Sequence, residues 1–272
     1  MRIYGIDFTS RPRHSKPITC LECDLTDDRL QAGKLTEWTD FDAFDAALRR
    51  PGPWIAGIDF PFGQARRFIE TIGWPRSWQG YVDHAVSLGR SGFRTALDAY
   101  RANRRPGDRE HRRATDIAAG SISPQKLYGT PVGLMFFEGA PRLRASGATI
   151  PGLQRGAPDR IVVEAYPGIL ARKVIGRRSC KQETRAKQTA ERAEARKDLL
   201  KRLTAGAARS PYGLHVNAPA ALTDDPSGDQ LDALLCAIQA AWAWTLRNKG
   251  FGIPEPCDRL EGWIADPATT TN

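Results

Sequence analysis

No stretch of this 272-residue sequence stays apolar long enough to cross a bilayer. The longest candidate, Ala233 to Leu246, is interrupted by Gln239 and falls short of the roughly 18 residues that a membrane helix requires. Nor is a secretory leader expected: Asp7 stands where the apolar run would have to continue, which predicts no signal segment and a cytoplasmic location. Cysteine is sparse and odd in number, five in all, with Cys180, Cys236 and Cys257 widely scattered, so reduced thiols are expected rather than a disulfide framework. Cys20 and Cys23 form a lone C-x-x-C with no second pair, and a strand of period two would turn them to opposite faces, which argues against zinc. The four histidines (His14, His84, His111 and His215) show no ligand spacing. There is no G-x-S-x-G elbow and no G-x-x-x-x-G-K-[ST] phosphate loop, which sets aside serine-hydrolase and P-loop chemistry. No repeat of solenoid length occurs.

What is present suffices for a sizeable core: 41% hydrophobic residues, 8% aromatic and seven Trp, alongside 26% charged. The net charge of +9 is localised. Residues 172 to 209 carry thirteen Lys and Arg against Glu183, Glu191, Glu194 and Asp198, an excess equal to that of the whole chain. A second cluster, Arg101, Arg104, Arg105, Arg109, Arg112 and Arg113, faces only Asp108 and Glu110, and its Asn-Arg-Arg-Pro-Gly-Asp centre reads as a loop. Such patches suit a polyanion, because each neutralised phosphate releases condensed counterions, so nucleic acid, DNA or RNA, is the expected partner. Arg104, Arg105, Arg109, Arg112, Arg113, Lys181 and Arg185 are the expected contacts, and His111 is placed among them to meet phosphate or shuttle a proton. The plainer reading of 182 to 203 is a solvated helix with Ala186, Ala190, Ala193, Leu199, Leu200 and Leu203 inward.

Apolar periodicity predicts strands at 2–8, 17–23, about 35–38, 54–59 and 160–165. A helix capped by Thr39 or Asp40 should run to Pro51-Gly52, and a long one should span Gly228 to Asn248. Residues 64 to 158 show no clear period and read as an insertion into a single domain with a core of about 1–63 and 159–250, and 211 to 228 as a loop. Short strands alternating with helices imply an α/β sheet flanked by helices.

Three strands end alike, with an acid leaving an apolar run just before a turn: Asp7 in YGIDFTS, Asp59 in AGIDFPFG and Glu164 in IVVEAYPG. Neighbouring strands lie about 4.8 Å apart, and open α/β sheets bind ligands at the carboxyl ends of their strands. Carboxylates crowded there repel one another unless a cation lies between them. On the last helix Asp229 and Asp232 share a face, and Asp232 borders a core stripe of Leu231, Leu234, Leu235, Ile238 and Trp242. Each acid also has a local reading: Asp7 as a turn cap, Asp229 or Ser227 as an N-cap, Asp232 as a first-turn acid favoured by the helix dipole. Taken together they point to Mg²⁺ or Mn²⁺, which accept carboxylates plus water and phosphate oxygens. Two such ions activate a water and stabilise the leaving oxygen of a phosphodiester.

These residues, in this order, resemble the domain-of-unknown-function 429 family, described as predicted nucleases with an RNase H-like fold. The resemblance rests on a first-strand Asp, a strand ending in Gly-Ile-Asp-Phe-Pro-Phe-Gly, one ending in Glu-Ala-Tyr-Pro-Gly, and a closing helix bearing Asp-x-x-Asp-Ala. It spans Arg2 to about Leu246, and the closing helix is also similar to that of Holliday-junction resolvases. It implies an RNase H-like mixed sheet in which Asp7 bridges two ions, while Asp59 or Glu164 and then Asp232, helped by Asp229, complete the site. The expected activity is metal-dependent cleavage of DNA or RNA. The alternatives are an inactive nucleic-acid-binding or regulatory protein of the same fold and, more remotely, a small-molecule phosphotransferase. The last would need a Gly-rich phosphate loop after the first strand, where Phe8-Thr9-Ser10-Arg11-Pro12 has none.

Overall fold

The two copies of Gly-Ile-Asp-Phe lie side by side. In the computed structural model, which describes residues 1–182, 184, 187–206 and 212–270, β1 (Arg2–Asp7) and β4 (Trp54–Asp59) are parallel neighbours, with Gly5 opposite Gly57, Ile6 opposite Ile58 and Asp7 opposite Asp59. On the other side of β1, β2 (Ile18–Thr26) and β3 (Arg29–Trp38) continue the sheet antiparallel. Beyond β4 come β6 (Ala157–Glu164) and the two-residue β5 (Ala148–Thr149), both parallel, and β7 (His215–Asn217) closes the far edge beside β3. The full order is β5-β6-β4-β1-β2-β3-β7, a seven-stranded mixed sheet.

Alternation along β1 and β4 feeds two cores. Ile6, Ile58 and Trp54 face one layer, made by α1 (Phe41–Leu48), α2 (Arg66–Ile72), α3 (Trp78–Ala102) and α5 (Val132–Ser146). Ile3 and Ile55 face the other, made by α6 (Pro167–Ile175), α7 (Ala190–Leu203) and α8 (Asp229–Thr245). Asp40 is the cap of α1, accepting from the Ala43 amide at 2.9 Å.

Four differences from the sequence reading have physical causes. The stretch 64–158, aperiodic to the eye, holds α2, α3, α4 (Ala114–Ala119) and α5, and it supplies most of one covering layer; α2 and α4 are too short to show a period, and the buried stripe of α3, Trp78, Tyr81, Val82 and Ala85 and then Phe93, Leu97 and Tyr100, is interrupted at Gly89, where φ is +65°. The third strand begins at Arg29 rather than near Leu35, because β2 and β3 pair as a long hairpin around the tight turn at Asp27, where φ is +52°. The basic helix is shorter than 182–203: the described part is α7 with Thr189 at its N-cap, and Ala186 lies outside the described residues. Finally, 211–228 is not all loop, since β7 finds a partner in β3. Among the described residues no helix is long and apolar enough to cross a membrane.

Cys20 and Cys23 point to opposite cores, as the strand period requires.

Candidate metal centre

The position of α8 is set by two glycines. A Cβ at Gly5 would lie 1.9 Å from the Ala233 carbonyl oxygen, and one at Gly57 would lie 2.4 Å from that of Cys236. With hydrogen in both places the helix backbone settles directly onto β1 and β4, its N-terminal turn over the strand ends. One pleat along the strands from the glycines stand Asp7 and Asp59; one turn up the helix from Cys236 stands Asp232. One carboxylate oxygen from each of the three lies within 4.8 Å of the others. Asp7 and Asp232 are buried and Asp59 half-buried.

Asp229, one turn earlier on the same face, is also buried, and the Lys16 ammonium reaches both its oxygens at 2.8 Å. It is not the helix cap: Gly228 occupies that position, and the Asp225 carboxylate accepts from the amides of Ser227 and Gln230 instead. Lys181 pairs with Asp232 through Oδ2. The other oxygen of Asp232, Oδ1, is buried and has no hydrogen-bond partner among the described residues. A buried carboxylate oxygen left in that condition is costly and marks a place where a cation fits.

The crowding shows in the acidities. Burial drives the Asp7 carboxyl well above its ordinary range, and the charges of Asp229 and Asp59 push the same way against Lys181 and Lys16. Asp59 is raised to about 6, by burial first, with Lys181 opposing and Glu164 and Asp229 adding. Four carboxylates thus meet two ammonium groups; fully ionised, they carry an excess that one divalent ion would neutralise. Oxygen-only donors of this kind suit Mg²⁺ or Mn²⁺.

Glu164 is held out of this group. Its carboxylate is gripped by Arg113, whose Nη1 and Nη2 reach Oε2 and Oε1 at 2.8 and 2.5 Å, while the Phe62 amide donates to Oε2 at 2.9 Å. Arg113 also chelates Asp116 through Nε and Nη2 and is only 1% exposed, so its expected role as a nucleic-acid contact is replaced by that of an internal counterion. The basic cluster in sequence gave no sign of this, because Glu164 lies 51 residues away and only folding brings it to Arg113.

The remaining basic positions divide. Arg104 is folded onto Asp108 and over the Tyr100 ring. Arg105, Arg109 and Arg112 are exposed. Lys181 faces the acids, and Arg185 lies outside the described residues. In the basic helix Arg196 is buried, donating to the carbonyls of Thr223 and Cys180, and Asp198 holds Arg178 and Arg202. His111 is buried as well: its Nε2 meets the Tyr100 hydroxyl at 2.7 Å, and desolvation lowers its pKa, so it is not placed to handle phosphate. Lys16 was missed in the sequence; it lies in the β1–β2 connection, and only folding brings it to Asp229.

Beside the cluster opens a cleft of about 330 Å³ that shares Asp59 and Lys181 with it. Phe60, Pro61, Val132 and Met135 give it an apolar side, and Arg113 and Glu164 form part of its polar floor.

No curated protein and no solved structure matches the chain significantly. The DUF429 family, whose description is "protein of unknown function", matches it over residues 5–255. On that match, which takes in Asp7, Asp59 and the whole of α8, the chain belongs to the DUF429 family.

Proposed function

We propose that the protein is a Mg²⁺- or Mn²⁺-dependent nuclease built on an RNase H-like sheet. The sheet order supports the fold part of this reading: a β1-β2-β3 meander, with β4 and β6 parallel to β1 on its other side and a final helix laid across the centre. The observation that carries the chemistry is the meeting of Asp7, Asp59 and Asp232 within 4.8 Å, with Asp232 Oδ1 buried and without a partner.

In this reading Asp7, Asp59 and Asp232 hold the ion or ions. When bound, such ions supply a water of lowered pKa and charge stabilisation for the leaving oxygen of a phosphodiester. Asp229 keeps Lys16 at the rim and adds negative potential. The Lys16 and Lys181 ammonium groups, which neutralise the acids without metal, are positioned to turn to the substrate's phosphates once an ion takes over that role. Exposed Arg105, Arg109 and Arg112, in the loop that runs into Arg113, extend the phosphate-binding surface without reading sequence. Glu164 stays with Arg113 and acts by fixing the Phe62 amide and the wall of the cleft.

The test is cleavage of labelled single-stranded, duplex and branched DNA and RNA in Mg²⁺ or Mn²⁺, lost in Asp7→Asn. Turnover unchanged in that variant overturns the assignment of the acids.

A second reading is favoured by the two lysines. With Lys16 on Asp229 and Lys181 on Asp232, the cluster can stand as an ion-pair network, and the protein then binds nucleic acid without cutting it. Salt-sensitive binding with no divalent-ion uptake is its signature.

A further inference from the structure

The cleft beside the acids has a character of its own. A phosphate channel is expected to be lined by exposed Arg and Lys, yet the side walls here are apolar: Phe60 and Pro61 at the end of β4, Val132 and Met135 at the start of α5, and Ile122 from the segment after α4. Phe60 and Pro61 are buried, so that wall is fixed, whereas Ile122 is 44% exposed at the mouth. Among the described residues Ile122 is one of only four large hydrophobic side chains that are exposed, and the only one of the four that lines this cleft. An exposed apolar side chain at the mouth of a partly apolar cleft marks a place where a ligand is expected to cover it.

The floor is polar but internally satisfied. Arg113 is shared between Glu164 and Asp116, and the Ser121 hydroxyl donates to Asp116 at 2.8 Å. Of the charges lining the cleft, only Lys181, at the end shared with the acids, is left to meet a phosphate. A flat, weakly polar group fits such a space better than an anion, because the walls reward desolvation and the floor offers lone pairs without an unmatched charge. The volume of about 330 Å³ is that of a small-ligand site and admits a base with its sugar. Since Asp59 and Lys181 belong to both the cleft and the acid cluster, a ligand in the cleft touches the metal centre.

From this juxtaposition we infer that the cleft takes the unpaired base of a single-stranded or locally opened nucleic acid, with the neighbouring phosphate at Asp7, Asp59 and Asp232. The inference rests on the nuclease reading and narrows it: a base in a closed duplex is stacked and paired and cannot enter a cleft without first being turned out. Recognition by stacking and apolar contact tolerates any base, so the preference is for strand state rather than sequence.

The experiment compares fluorescein-labelled 12-nucleotide strands of DNA and RNA with cleavage-resistant phosphorothioate linkages, the same backbones carrying abasic sites throughout, and matching duplexes, by anisotropy in Mn²⁺, with cleavage of the unmodified strands followed in parallel. Intact single strands should bind at least about tenfold tighter than abasic ones, and duplexes no tighter than the abasic strand. Ile122→Ser, which strips the mouth, and Val132→Trp, which fills the cleft, should cut that preference to about threefold or less, with circular dichroism and melting temperature reporting that the fold is kept. Abasic strands bound as tightly as intact ones, or a preference that survives both variants, overturn the base cleft while leaving metal-dependent cleavage standing. Tighter binding of duplex than of single strands does the same. A protein that neither binds nor cleaves any of these in Mn²⁺ overturns the nuclease reading and the cleft with it.

Discussion

Gly5 and Gly57 face one another across the β1–β4 ladder, and both lie where a side chain would strike the backbone of α8. This contact sets the distance between the strands' two aspartates and the helix's one, so the acid cluster depends on positions that carry no chemistry. The Cβ of Gly5→Ala would sit 1.9 Å from the Ala233 oxygen, a contact relieved only by moving the helix. Overpacking of this kind costs typically ~1–3 kcal/mol, and backbone-on-backbone contact belongs at the upper end. Gly5→Ala should lower the unfolding free energy by that amount, read as a lower urea midpoint, and weaken Mn²⁺ uptake together, with Gly57→Ala milder. Full stability and full uptake in Gly5→Ala would disprove the dependence.

The acid cluster should oppose folding at neutral pH. Burial raises Asp59 to about 6 in the folded protein against an unfolded value near 3.8, and raises Asp7 well above its ordinary range. The folded state therefore holds these protons more tightly than the unfolded chain does; the stability contributed through Asp59 is full below about pH 4 and lost as pH rises through about 6, and that through Asp7 is likewise lost on raising the pH. Asp7→Asn should make the metal-free protein more stable at pH 7.5, by ~1–3 kcal/mol, while abolishing divalent-ion uptake. Metal affinity should climb with pH through the same window, because ligation needs the carboxylates ionised. Thermal melts from pH 4 to 8, with and without Mn²⁺, read both effects.

Lys181 and a divalent ion should substitute for each other. Removing the ammonium in Lys181→Ala leaves Asp232 buried without its partner, which lowers stability in EDTA. Millimolar Mn²⁺ should restore much of the loss, so the rise in melting temperature on adding Mn²⁺ should be larger in the variant than in the wild type. An equal rise in both would mean that lysine and metal do not compete for the same charge.

Arg113 and Glu164 should separate structure from ligation. Arg113→Ala strands two buried carboxylates and should cost ~3–5 kcal/mol in denaturant unfolding. Glu164→Gln removes one charge, keeps an acceptor for the Phe62 amide, and should leave Mn²⁺ affinity within about threefold, whereas Asp59→Asn should abolish it. A collapse of Mn²⁺ affinity in Glu164→Gln would return that residue to the ligand set.

The sequence made the central sheet legible because its strands are short apolar runs stopped by Pro and Gly, and because the repeated Gly-Ile-Asp-Phe hints at register. It also gave the acids that meet: Asp7 and Asp59 because a carboxylate leaving an apolar run is conspicuous, Asp229 and Asp232 because they share a face beside a core stripe. The third strand-end acid misled: nothing near Glu164 in sequence announces Arg113, which arrives from a loop 51 residues earlier. Lys16 and the paired glycines were opaque for the same reason, as their role is set by what folding brings across from α8. The helices of 64–158 escaped because α2 and α4 are short and the apolar stripe of α3 is broken at Gly89.

The most direct test of the acid centre is an anomalous difference map from crystals of the full-length protein soaked in Mn²⁺ near pH 7.5. A strong peak contacted by Asp7, Asp59 and Asp232, with Lys181 turned away from Asp232, is the result expected here. A map empty among those carboxylates at millimolar Mn²⁺, with Lys16 and Lys181 still seated on Asp229 and Asp232, would contradict it.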